Sequence, residues 1–188
     1  MTFPMNDADL PHPTIAPLPP EEKNEGSGAV NARSNARSQY SVKYDEGLKV
    51  GYKWYDAEHK PVLFPFGYGL SYTTYNYSGL SVTPGEKPSV HFTVKNAGKR
   101  AGAEVAEVYA MLPASTEEPP KRLVGFEKVA LEPGESREVI IDVDPLFLSI
   151  YDEASGKMKV VPGAYTFAAG SSSQTLPLKQ EVTLGGTM

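Results

Sequence analysis

The octapeptide SVHFTVKN (Ser89–Asn96) carries the clearest fold signal in the chain. In an extended backbone Val90, Phe92 and Val94 point to one side, and the polar residues between them point to the other. This period of two is typical of a β-strand with one buried and one solvent-facing side. We therefore predict a strand whose apolar side contributes to a hydrophobic core.

The same alternation recurs further along the chain. Val139, Ile141 and Val143 follow it in one stretch, and Tyr165 and Phe167 follow it in another. We expect strands near residues 75–82, 89–96, 103–112, 121–130, 135–143, 157–160, 164–169 and 178–184. The stretch at 104–112 differs because it has apolar residues on both faces, and no run of ten or more residues favours an amphipathic helix.

Turn signals separate these strands. Pro84-Gly85, Pro133-Gly134 and Pro162-Gly163 each predict a type II turn, because glycine accepts the positive φ of the third position. Short strands at this spacing, over about 110 residues, are typical of an immunoglobulin-like antiparallel β-sandwich. We predict an all-β fold of this kind for residues 73–188, with an extended N-terminal arm.

The arm, residues 1–40, has a different composition. It contains six prolines within its first twenty residues, and Asn31–Ser34 is repeated as Asn35–Ser38. Between Glu21 and Gln39 the apolar residues are alanines and one valine, which bury too little surface to offset the entropy of ordering. We expect a flexible linker, most mobile at 20–40; a surface loop of a larger domain is an equally good interpretation.

Residues 41–72 form an aromatic connecting segment. Tyr52, Trp54, Val62 and Phe64 suggest strand-like alternation, although prolines and glycines cut the segment into short pieces. The segment is too short to form its own core, so it must pack against the following domain or against a missing one. Tyr68 and Tyr72, which flank glycines, are expected to anchor it to the sandwich.

Charge and composition exclude several functions. Lys and Arg number 18 against 23 Asp and Glu, which gives a net charge of −5 without a polybasic arm. Nucleic acids and anionic membranes are therefore poor partners. The chain lacks cysteine and any apolar run of membrane-spanning length, and the first ten residues do not resemble a signal peptide. The three histidines are too far apart to suggest a metal site, and we expect no cofactor.

Several motifs together resemble glycoside hydrolase family 3. The run Tyr44–Asp56 is similar to the end of the family's second catalytic domain, and Leu63–Tyr75 is similar to the start of its C-terminal fibronectin type III-like domain. Thr2-Phe3-Pro4 also resembles the end of that catalytic domain. Further matching motifs follow in the family's order: Val94–Gly98, Pro119–Val129, Leu131–Ser136, Leu148–Glu153 and Pro162–Tyr165.

The resemblance implies a retaining β-glucosidase or β-xylosidase as the parent, with two catalytic carboxyl groups. In the family the nucleophile stands in a Ser-Asp-Trp motif. The single tryptophan of this chain, Trp54, follows Tyr52-Lys53, so the motif is absent. The family's acid/base residue lies upstream of the matched region. The chain is therefore expected to be a non-catalytic accessory domain in carbohydrate metabolism, with the catalytic domains as its partner. It would be periplasmic or secreted if its parent enzyme is exported.

Two other hypotheses remain open at this point. The chain could be an independent carbohydrate-binding or adhesion module. It could also be a complete small glycosidase, although the missing nucleophile motif argues against this. Asp45 and Glu46 are a poor catalytic pair because neighbouring residues in a strand point to opposite faces. Glu46 and Asp56 are expected to cap turns or to pair with Lys43, Lys49 or Lys53, and Glu117-Glu118 to lie in a solvated loop.

The aromatic segment supplies the candidate contacts. We expect its aromatic side chains to contact a neighbouring domain or a sugar, and to drive self-association where they stay exposed. The candidate residues are Tyr52, Trp54, Tyr55, Phe64 and Phe66.

Overall fold

The computed structural model describes residues 1–11, 16–17, 40–41 and 44–185. The strands are β1 (Phe3–Pro4), β2 (Ala16–Pro17), β3 (Tyr40–Ser41), β4 (Val62–Phe64), β5 (Tyr75–Thr83), β6 (Ser89–Asn96), β7 (Gly102–Met111), β8 (Arg122–Leu131), β9 (Ser136–Asp142), β10 (Ser149–Asp152), β11 (Lys157–Val160), β12 (Gly163–Gly170) and β13 (Leu178–Leu184). The helix α1 spans Tyr52–Ala57, and short 3₁₀ turns lie at Asp7–Asp9, Ala114–Thr116 and Pro145–Leu148.

Two antiparallel sheets enclose the core. One has the order β5-β6-β9 and the other β13-β12-β7-β8. Phe92 lies opposite Val139 in the first sheet, and Phe167 lies opposite Ala110 in the second. The predicted core is confirmed, because each of its members is at most 7% exposed: Val90, Phe92, Val94, Val139, Ile141, Val143, Tyr165 and Phe167.

The strand predictions are confirmed to within one residue at each end. The sequence did not indicate β10, which forms a hairpin with β11 and pairs Tyr151 with Met158. The missing signal is understandable, because β10 places the exposed Tyr151 next to the part-buried Ile150 and so lacks a clear apolar side.

The type II turn is confirmed at one of the three predicted sites. Gly134 has a φ of 80°, and the Glu135 amide donates to the Glu132 carbonyl over 3.0 Å. The prediction is wrong at the other two: Gly85 has no positive φ, and Gly163 begins β12 with a φ of 155°.

The aromatic segment corrects a second prediction, because residues 52–57 form a helix where alternation suggested a strand. Gly51, at a φ of 62°, turns the chain into it. Tyr52 and Tyr55 are three residues apart and therefore lie on one side of the helix. Strand β1 pairs with β4, so the first residues of the chain join this segment. The mobility expected for residues 20–39 falls outside the described residues.

Candidate docking surface

The aromatic segment covers the outer face of the four-stranded sheet. The ring of Tyr52 meets that of Tyr109 edge to face at 5.6 Å between centroids, and it lies 5.5 Å from that of Phe66. The Tyr52 hydroxyl oxygen accepts a hydrogen bond from the Leu123 amide over 2.7 Å, across 71 residues of sequence. Burial raises the pKa of Tyr52. This cover explains why β7 is apolar on both faces.

Glu107 lies beneath the turn that follows β4. The residue is 5% exposed, and its carboxylate accepts a hydrogen bond from the Tyr109 hydroxyl over 2.7 Å. Gly67 has a φ of 84°, and a Cβ added there would collide with the Glu107 carboxylate. The turn is held by the Ser173 amide, which donates to the Phe66 carbonyl over 2.8 Å. Burial raises the pKa of Glu107, because the charged form loses its hydration.

One ion pair joins the segment to the residue before β8, and a second lies at the end of the loop that leads into β8. Asp56 pairs with Lys121 over 2.6 Å, so its partner is a distant lysine rather than one of the nearby lysines expected from sequence. Glu118 pairs with Arg122 over 2.5 Å, and its side chain is only 11% exposed, so the predicted solvated loop is wrong at this residue. Ion pairs this buried gain little net stability, but they set the position of the elements that they join.

Trp54 packs against the chain's own N-terminal residues. Its indole nitrogen donates to the Asp9 carbonyl over 2.9 Å, and the Lys49 and Lys60 ammonium groups lie 5.9 and 5.6 Å from the ring. Lys60 also pairs with Asp9 over 3.7 Å. The indole is therefore already engaged within the chain.

The five candidate aromatics are thus divided by the structure. Tyr55 is buried, Tyr52, Trp54 and Phe66 are part-buried, and Phe64 remains 40% exposed. Their expected contacts with a neighbouring domain or a sugar remain a prediction.

Other apolar side chains of this segment remain exposed, as does Phe3 of strand β1. Phe3 meets Phe64 at 6.1 Å, and Phe64 meets Tyr68 at 5.2 Å between ring centroids. Leu70 and Tyr72 are 92% and 90% exposed, so the expectation that Tyr72 anchors the segment to the sandwich is wrong. We call this set the docking surface: Phe3, Leu63, Phe64, Tyr68, Leu70 and Tyr72.

Asn96 holds the end of the loop that carries the docking surface. Its side chain accepts from the Thr73 hydroxyl over 2.6 Å and from the Gly98 amide over 3.0 Å. It donates to the Arg100 and Leu131 carbonyls over 2.8 and 3.0 Å. The sequence analysis placed Asn96 in a motif but gave it no role. The available signal for a structural role was its position at the end of an alternating strand, two residues before a glycine.

The described residues contain no cluster of three or more His, Asp or Glu side chains that could hold a metal ion. Within the same part of the chain, no helix is long and apolar enough to span a membrane.

An antiparallel sandwich of three and four strands is the architecture of immunoglobulin-like and fibronectin type III-like modules. Residues 104–173 match the fibronectin type III-like domain family. The solved GH3 β-glucosidase of Bifidobacterium adolescentis superimposes on 98% of this chain and 25% of its own, with a TM-score of 0.79 and 32% identity.

Curated relatives agree with this. Probable β-glucosidase H of Emericella nidulans is 42% identical over 78% of this chain and 18% of its own length. Thermostable β-glucosidase B of Acetivibrio thermocellus is 39% identical over 78% of this chain and 20% of its own length. The chain therefore contains a fibronectin type III-like domain and resembles the C-terminal region of family 3 β-glucosidases. It spans about a fifth of the length of these relatives.

Proposed function

We propose that the chain is a non-catalytic accessory C-terminal domain of a family 3 β-glycosidase, and that it buttresses the catalytic domains. The observation that carries this proposal is the docking surface. Leu70 and Tyr72 are almost fully exposed in the same segment whose Tyr52 packs against Tyr109. Contiguous apolar surface of this kind marks interaction sites in soluble proteins.

The energetics of such a contact are adequate. Full burial of one large apolar side chain contributes about 1.5–3 kcal/mol. The docking surface has six such side chains, of which Phe3, Phe64 and Tyr68 already contact one another in a row. Association as a separate molecule costs several kcal/mol, but domains joined in one chain avoid most of that cost. The surface therefore suits a covalently linked neighbour.

The test is a chimera in which this chain replaces the matching fifth of thermostable β-glucosidase B. We expect Leu70→Ser with Tyr72→Ser to lower the melting temperature and the β-glucosidase activity of the chimera, while the same pair leaves the melting temperature of the isolated chain unchanged. The matched control pair is Phe126→Ser with Ile140→Ser, which replaces exposed apolar residues outside the docking surface.

Equal effects of the two pairs on the chimera would contradict the buttressing role. The alternative of an independent carbohydrate-binding module has its own readout, which is the binding of cello-oligosaccharides to the isolated chain in a titration calorimeter. Binding that is lost on Leu70→Ser with Tyr72→Ser would favour that alternative.

A further inference from the structure

A second apolar surface lies away from the docking surface. A groove of about 670 Å³ runs between the residues before α1 and the β10–β11 hairpin. The Asp144 carboxylate accepts from the Leu146 amide over 2.9 Å and caps the 3₁₀ turn that presents part of this wall. The groove has five apolar side chains that are 47–62% exposed: Leu48, Leu146, Phe147, Tyr151 and Met158.

Two opposite charges also line the groove. Lys53 comes from α1 and Glu153 from the turn of the hairpin. Neither side chain has an ion pair or a hydrogen bond within the part of the chain that the structure describes. Arg122 and Glu118, which line the same groove, are already paired with each other. Burial, and then the Arg122 charge, lower the pKa of Lys53, while the Glu118 charge acts in the opposite direction.

We propose that this groove is the interface of a two-fold symmetric dimer of the chain. In such an interface the same patch of each copy faces the other. A contact from residue i of one copy to residue j of its partner is therefore repeated from residue j of the first copy to residue i of the partner. A patch with one unpaired cation and one unpaired anion around an apolar centre is complementary to its own copy. Lys53 of each protomer pairs with Glu153 of its partner, and Phe147, Tyr151 and Met158 pack between them.

The composition of the groove favours a protein occupant over a sugar. Methionine, phenylalanine and tyrosine are enriched at protein interfaces, whose centres are apolar and exclude water. The polar groups that could hold sugar hydroxyls in a fixed arrangement are mostly engaged, because Arg122 also donates to the Ser149 carbonyl over 2.9 Å. A half-buried, unpaired lysine gains most from a partner that supplies a carboxylate.

A charge-reversal series tests the dimer by sedimentation of the full chain from micromolar to millimolar concentration. We expect the parent chain to dimerise. Lys53→Glu and Glu153→Lys should each raise the dissociation constant by about tenfold or more, because each places like charges together. The double variant Lys53→Glu with Glu153→Lys should restore the dissociation constant to within about threefold of the parent. Urea unfolding of each variant checks that the fold is intact.

The result that overturns the proposal is a parent that stays monomeric, or single reversals that leave the dissociation constant unchanged. Leu70→Ser with Tyr72→Ser is the control on the docking surface and should not alter dimerisation; loss of the dimer in that variant alone would assign self-association to the docking surface instead. Shifts of the Tyr151 resonances by cello-oligosaccharides in a monomeric parent would assign the groove to sugar and also overturn it. The chimera test does not depend on Lys53 or Glu153, so the two proposals fail separately.

Discussion

Asn96 joins parts of the chain that are far apart in sequence. Its fully buried amide connects Thr73, at the end of the exposed loop, to the Arg100 and Leu131 carbonyls. A buried amide that makes four hydrogen bonds is costly to remove, because each former partner is left in an apolar environment without a substitute. Asn96 therefore stabilises the edge of the sandwich where the loop begins.

We expect Asn96→Ala to lower the free energy of unfolding by about 3 kcal/mol, since it leaves several buried groups unpaired. Urea denaturation followed by tyrosine fluorescence measures this. Asn76→Ala is the matched control, because Asn76 is exposed on the adjacent strand β5. A loss for Asn96→Ala no larger than that for Asn76→Ala would contradict the role given to Asn96.

Glu107 makes the stability of the chain depend on pH. Burial raises its pKa above the ordinary 4.5, so the folded state binds more protons than the unfolded state at pH values between the two pKa values. Its contribution is favourable below pH 4.5 and is lost as the pH rises through the folded pKa. Glu104, whose pKa burial also raises, acts in the same direction.

We expect Glu107→Gln to reduce this fall in stability without abolishing it, because Glu104 is unchanged and the glutamine oxygen can still accept from Tyr109. The free energy of unfolding should be measured at several pH values between about 4.5 and 8. The gain of the variant over the parent should grow with pH. A constant difference between the two across this range would show that Glu107 does not titrate as inferred.

The turn after β4 illustrates how one element depends on another. Gly67 needs glycine for two separate reasons, its φ of 84° and the proximity of the Glu107 carboxylate. Gly47 has a similar φ of 58°, but an added Cβ would meet nothing within 4 Å. The two glycines therefore separate the cost of the backbone conformation from the cost of the contact.

We expect Gly47→Ala to destabilise by about 1–2 kcal/mol, the cost of placing an L-residue in the left-handed region. Gly67→Ala should cost about 1–3 kcal/mol more, because the added methyl group displaces Glu107. Thermal or urea denaturation of both variants gives the difference. Equal losses at the two positions would mean that the turn moves away from β7 freely.

Strands such as β6, β9 and β12 were predictable because each has a local pattern, an apolar alternation between turn signals, whereas β10 lacks one and was missed. The helix α1 was mistaken for a strand because Tyr52 and Trp54 happen to alternate, whereas the spacing of Tyr52 and Tyr55 indicated the helix. The roles of Glu107 and Asp56 could not be predicted, since their partners come from distant segments. The docking surface was predicted only in part: Phe64 was identified, but the exposure of Leu70 and Tyr72 depends on the tertiary packing of the loop.

At the scale of the whole molecule, the isolated chain should not hydrolyse aryl β-glucosides or β-xylosides above the rate in buffer. The nucleophile motif of the family is absent from the sequence, and Asp56 is occupied by Lys121 at 2.6 Å. Release of the coloured aryl alcohol measures this, with thermostable β-glucosidase B as the positive control. Hydrolysis that disappears in Glu46→Gln or Asp56→Asn would contradict the expectation.

The hydrogen bond from the Leu123 amide to Tyr52 has a consequence for recombination between related genes. A crossover near residue 73, at the first strand of the sandwich, would separate Tyr52 and Phe66 from the sheet that they cover, and it would uncover Tyr109 and Glu107. A crossover upstream of β1 keeps these contacts together, since β1 itself pairs with β4. Recombination should therefore preserve this fold only when the sandwich, the aromatic segment and the short strand β1 are exchanged together.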